Sequence, residues 1–190
     1  MVEYICRKKG VFVMKTRENI KWICVNAMGI ALFVVLSMCL RVPVFQNYYL
    51  CLGYIVMTVY CYSIGAISGT LVGVLGTILY CILIGGLNGL PGWALGNVLI
   101  GIVLGNIFKV TKKIKNGFLE VLLLSIVTVI ITAIGILVVK SIVDSLLFAE
   151  PFVFRVARNM SVFIADAFMI VASLPICKIL DKQIKKMLSY

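Results

Sequence analysis

Six apolar runs separated by short gaps dictate what this chain can fold into. They cover residues 22–40, 50–63, 66–85, 94–108, 118–139 and 161–177. A helix needs about 20 apolar residues to cross the hydrocarbon core of a bilayer. Every backbone amide there must also find its partner within the protein, which leaves helices as the natural solution for segments of this length. The basic residues divide the gaps into two kinds. Arg7, Lys8, Lys9, Lys15, Arg17 and Lys21 precede the first run; Lys109, Lys112, Lys113 and Lys115 lie between the fourth and fifth; Lys178, Lys182, Lys185 and Lys186 follow the sixth. These account for fourteen of the 18 lysines and arginines. The positive-inside rule places all three clusters in the cytoplasm, with an even number of spans between them. The expectation is an all-α integral membrane bundle of six transmembrane helices with both termini cytoplasmic. It forms one membrane domain over 1–190: a basic segment 1–21, a bundle 22–177 and a basic tail 178–190.

Composition narrows the function. With 63% hydrophobic and 13% charged residues in 190, no room remains for a soluble domain beside the helices. The net charge of +11 flanks apolar spans rather than forming a continuous face, so it suits anionic lipid headgroups and not nucleic acid. Histidine is absent and the seven cysteines are scattered without a Cys-x-x-Cys pair, which argues against a Cys/His metal site. Cysteines in such helices act as small apolar packing residues. No Ser-His or Cys-His pair, nucleophile elbow or Walker motif occurs, so neither an enzyme nor a self-powered ATPase is expected, and no cofactor is implied. The opening residues lack the apolar core of a signal peptide, and translation could begin at Met1 or Met14.

Several residues stand out against the apolar background. Ala27 and Ala31 are one helical turn apart, and small residues at that spacing let a second helix approach closely, inside the bundle or on a partner. Gly65, Gly69 and Gly73 form a similar stripe. The first outer loop carries Pro43 and then Gln46, Asn47 and Tyr48, a mix suited either to covering a polar, ring-bearing ligand or to an interfacial aromatic belt. Trp93 ends the turn just before the fourth run, and Asn97 and Asn106 within that run are amides that need partners. The segment 140–159 reads as the last outer connection. Arg155 and Arg158 share a helical face there, beside Asn159, where they could clamp a carboxylate, pair with Asp144 or Glu150, or hold lipid phosphate. Asp166 is the one acid deep in a span; it either pairs with Arg155 or Arg158, or serves a ligand or a proton.

The order of these motifs resembles the substrate-binding S components of energy-coupling factor (ECF) vitamin transporters. Ala27-Met28-Gly29-Ile30-Ala31 is similar to the family's Ala-x-x-x-Ala signature in the first helix. Leu52-Gly53-Tyr54, Pro91-Gly92-Trp93-Ala94-Leu95 with Leu99-Ile100-Gly101, and Arg155-x-x-Arg158-Asn159 resemble runs found in its folate- and pantothenate-type members. Tyr62-Ser63-Ile64-Gly65 departs from the Phe-Gly-Pro usual after the second helix. The resemblance implies a multi-pass protein of a prokaryotic cell membrane that binds a water-soluble vitamin from outside, with the first loop as lid. It implies docking through Ala27 and Ala31 onto a transmembrane coupling subunit, which carries two ATPases whose work topples the S component in the membrane. The implied pocket residues are Gln46, Asn47, Tyr48, Trp93, Asn97, Arg155, Arg158 and Asn159, with Asp166 below, and two arginines suggest an anionic vitamin. The rival expectation is a stand-alone secondary transporter or channel, in which Asp166 would be the coupling-ion site.

Overall fold

A computed structural model describes residues 2–39, 43–45, 48–49, 51–84, 86, 89–112 and 117–188. The described chain is helical apart from one short ribbon. Helix α1 runs Val2–Cys39, β1 Pro43–Phe45 and β2 Tyr48–Tyr49, followed by α2 Gly53–Ser63, α3 Ala66–Ile84 and α4 Leu90–Thr111. Helix α5, Gly117–Ala133, continues through a π-helical turn, Ile134–Lys140, into α6, Ser141–Phe148; α7 spans Phe152–Leu188. The two strands pair antiparallel between α1 and α2.

Local chemistry sets the breaks. Pro43 starts β1 soon after α1 ends, as expected where proline biases its predecessor towards extended backbone. Gly65 makes the α2–α3 turn at φ +126°, a conformation open to glycine, and its amide donates back to the Tyr60 carbonyl at 3.0 Å. Pro91 sits in the first turn of α4, where its missing N–H costs nothing. Ala149 takes a left-handed φ of 52° to end α6, and Pro151 then accepts from the first amides of α7.

Among the described residues, five stretches are long and apolar enough to span a bilayer: Asn19–Cys39, Ala66–Ile84, Leu90–Thr111, Leu119–Phe148 and Phe152–Asp181. The protein is therefore a multi-pass membrane protein. The second expected span falls short. Helix α2 has 11 residues, about 16 Å of rise, and seven of them are buried among the other helices. The fourth is longer than the apolar run suggested, because glycine, asparagine and Pro91 are all accommodated within α4. The segment 140–159 is likewise not an outer connection throughout, since Lys140 and Asp144 lie inside the long Leu119–Phe148 helix.

Glycines seam the first four helices together. A Cβ at Gly69 would strike the Cys61 backbone of α2 at 2.8 Å, and one at Gly73 would meet Met57 Sδ at 2.5 Å. On α4, a Cβ at Gly101 would meet the Thr70 backbone at 2.8 Å, and Gly105 sits directly on Ala66. The Gly65–Gly69–Gly73 stripe is thus an internal contact. Around these seams Phe33, Tyr54, Met57, Ile100, Leu104, Phe108 and Ile170 form the core. Cys51, Cys61, Cys81 and Cys177 are buried as packing residues, whereas Cys24 and Cys39 face outwards.

Candidate functional site

The ends of α6 and α7 and the start of α4 enclose a pocket of about 370 Å³, lined by Gly89, Lys140, Asp144, Phe148, Glu150, Arg155, Arg158 and Asn159. It sits at the end of the bundle opposite the Lys109–Lys112 end of α4. The π-helical turn is what builds its floor. The extra residue in that turn re-aims the chain, an arrangement that recurs at functional sites. Here Lys140 closes the turn and, although only 8% exposed, donates from Nζ to Asn159 Oδ1 at 2.9 Å. Asn159 in turn donates to Ser141 Oγ at 2.9 Å, so α5, α6 and α7 are tied by one polar chain. Asp144, one turn beyond Lys140, is buried with Oδ1 lacking a hydrogen-bond partner and packs on Gly92 of α4, where any side chain would collide with it.

Arg155 meets Glu150 at 2.7 Å in a contact that is ionic rather than an aligned hydrogen bond, and its guanidinium lies 4.9 Å from the Phe148 ring. The arginine expected either to clamp a carboxylate or to pair internally is therefore paired with an internal acid. The pocket holds three cations and two carboxylates, a nearly balanced set rather than an anion trap.

A second polar group lies among α2, α3, α4 and α7. Tyr54, fully buried, accepts from Trp93 Nε1 at 2.8 Å and donates to Asn97 Oδ1 at 2.7 Å. Asn97 Nδ2 donates to Thr77 Oγ1 at 2.8 Å and to the Gly73 carbonyl at 3.3 Å. Every buried amide must be satisfied in hydrocarbon, and this one is satisfied three times over by the protein. Asp166, 2% exposed, lies alongside the Tyr54 hydroxyl with Oδ2 unpartnered.

The structure thus divides the residues expected at the site. Arg155, Arg158 and Asn159 come together in the pocket lining; Trp93, Asn97 and Asp166 gather around Tyr54 instead. Gln46 and Asn47 lie outside the described residues, and Tyr48 is described only as backbone in β2. Asn106 is outside both groups, its amide turned onto the Ile102 carbonyl of its own helix. Ala27 and Ala31 are both exposed on α1, while Gly29 between them is buried against Tyr60 and Val72. They form an outward face, not an internal contact.

With this geometry in place, comparison with known proteins decides the family. The ECF-type riboflavin transporter S component family model matches residues 17–182, most of the chain. The chain belongs to this family. The S component's match begins just before the first span and ends at the last, so it includes the pocket, the Tyr54 cluster and the Ala27/Ala31 face. The family is a transporter component and not an enzyme. The family's name carries riboflavin; the folate- and pantothenate-type grouping that the motifs suggested is not confirmed by the match. No curated protein and no solved structure matches the chain.

Proposed function

We propose that this S component is the high-affinity substrate-binding membrane subunit of an ECF-type importer, and that its cargo is riboflavin or a closely related flavin. The family match over 17–182 carries this reading. The pocket supports it physically. Riboflavin is uncharged at neutral pH, with a flat ring and a hydroxyl-rich tail. The lining offers an aromatic wall in Phe148 and alternating donors and acceptors in Lys140, Asp144, Arg155, Arg158 and Asn159. Its volume falls in the ~300–1,000 Å³ range of small-molecule sites. Because Glu150 offsets Arg155, the arginines no longer favour an anionic vitamin.

The site residues in this reading are Arg155, Arg158 and Asn159, joined by Lys140 and Asp144, with the Gln46–Tyr48 loop as lid. Trp93, Asn97 and Asp166 support the floor from below. The bundle has six helices, α2 being a short sixth element that relies on its neighbours for burial. Both termini and the three basic clusters face the cytoplasm of a prokaryotic cell, and the pocket opens outwards. Ala27 and Ala31 form the docking face for the coupling subunit and, through it, two ATPases.

The test is a ligand panel on the purified protein, read by melting temperature and by quenching of flavin fluorescence. Riboflavin at a hundred times its dissociation constant adds about 2.7 kcal/mol to stability. We expect it to raise the melting temperature, and folate and pantothenate to leave it unmoved. Stabilisation by either of those two without riboflavin would overturn the flavin assignment. A folded protein that answers to no vitamin would shift the reading to a stand-alone carrier.

A further inference from the structure

A second cavity is larger than the one above. A groove of about 710 Å³ lies at the other end of the bundle, between α1, the α2–α3 turn and α4. Its walls include Trp22, Ile67, Leu71 and Ile102, and its mouth carries Asn106 and Lys109. These apolar side chains remain open to the surroundings: Ile67 is 71% exposed, Ile102 46% and Trp22 41%.

Three observations say what fits there. First, the lining is graded from apolar to cationic and contains no carboxylate. Second, Lys109 makes no ion pair among the described residues, whereas its neighbour Lys112 pairs with Asp181 and Lys178 pairs with Glu120. Its stem passes over the α2–α3 turn, with Cε 3.8 Å from where a Gly65 side chain would begin. The first turn of α3 lines the same groove and adds the partial positive charge of a helix start. Third, the groove is at headgroup depth. Trp22 lies near the start of the Asn19–Cys39 span and Lys109 in the last turn of α4, the levels at which tryptophan and lysine anchor helices at a bilayer surface.

We propose that this groove holds an anionic phospholipid, its phosphate at Lys109 and an acyl chain along Ile67, Leu71 and Ile102. An amphiphile with a negative head matches the gradient of the lining. A peptide segment would have to set backbone polar groups against the apolar walls.

Native mass spectrometry of the full-length protein in mild detergent tests the proposal with two added lipids, phosphatidylglycerol and phosphatidylcholine. The anionic lipid should be retained in preference. Lys109→Gln should lower its retention about fivefold and leave the zwitterionic lipid unchanged. Ile67→Trp should displace both by filling the groove. Lys21→Gln, a cation outside the groove lining, should change neither. Equal retention of the two lipids would overturn the proposal, as would an equal loss with Lys21→Gln, which would indicate bulk attraction only. So would an Ile67→Trp variant that keeps its lipid but no longer co-purifies with a coupling subunit, since the groove would then be a protein dock. Should Ile67→Trp fail to fold, the Lys109 and Lys21 pair decides alone.

Discussion

Lys140 is the residue on which the site's electrostatics turn. It is buried beside Asp144 and within reach of Asp166, and its ammonium is held by Asn159. Removing one partner of a buried charge set strands the others, at about 3–5 kcal/mol. Lys140→Met should therefore lower the melting temperature sharply, and adding Asp144→Asn should recover part of the loss. A single variant that melts like the wild type would show that Lys140 does not compensate these acids. Arg155, Arg158 and Asn159 could be found from sequence because polar side chains at helical spacing, set against apolar neighbours, announce themselves. Asn97 was legible for the same reason, although its role differs: Tyr54, Thr77 and Gly73 consume its hydrogen bonds. Lys140 was not legible. It closes an apolar run and looks like the polar flank of a span, and no periodicity reveals the π-helical turn that carries it inside.

At the scale of elements, the glycine seams make a direct prediction. Gly105 sits on Ala66 so closely that a methyl group must push α3 and α4 apart. Overpacking of this kind costs about 1–3 kcal/mol, so Gly105→Ala should lower the melting temperature measurably. Gly89, at the start of α4, has open space within 4 Å of where a Cβ would stand, and Gly89→Ala should be silent. Equal effects at the two sites would mean that helix propensity, not contact, governs both. The long spans could be read directly from the sequence, since length and hydropathy suffice for α1, α3, α5 and α7. Helix α2 was harder, because a run of 14 apolar residues does not say whether it meets lipid or protein; burial by neighbours decides, and that is tertiary information. The small-residue stripes showed the same limit. Sequence located both, but only packing distinguishes the inward stripe on α3 from the outward pair on α1.

For the whole molecule, the outward Ala27/Ala31 pair separates the two classes of transporter. Replacing both with tryptophan should abolish uptake that depends on the coupling module, while riboflavin still quenches and stabilises the isolated protein. In a self-sufficient carrier the pair would be harmless and Asp166→Asn would stop transport instead. One uptake assay with both variants distinguishes these outcomes. Loss in neither would remove the docking role of α1.

The seams have a consequence for where the molecule can give way. Backbone seated on backbone leaves no side chain to swing aside, so α2 to α4 behave as a keel. Helix α7 contains no glycine between Phe152 and Leu188, and its contacts with the rest are made through side chains that can change rotamer. It also carries Arg155, Arg158, Asn159 and Asp166. Stiffness is thus concentrated where helices meet backbone to backbone, while α7 brings its four polar side chains to both polar groups from the side that has no such seam.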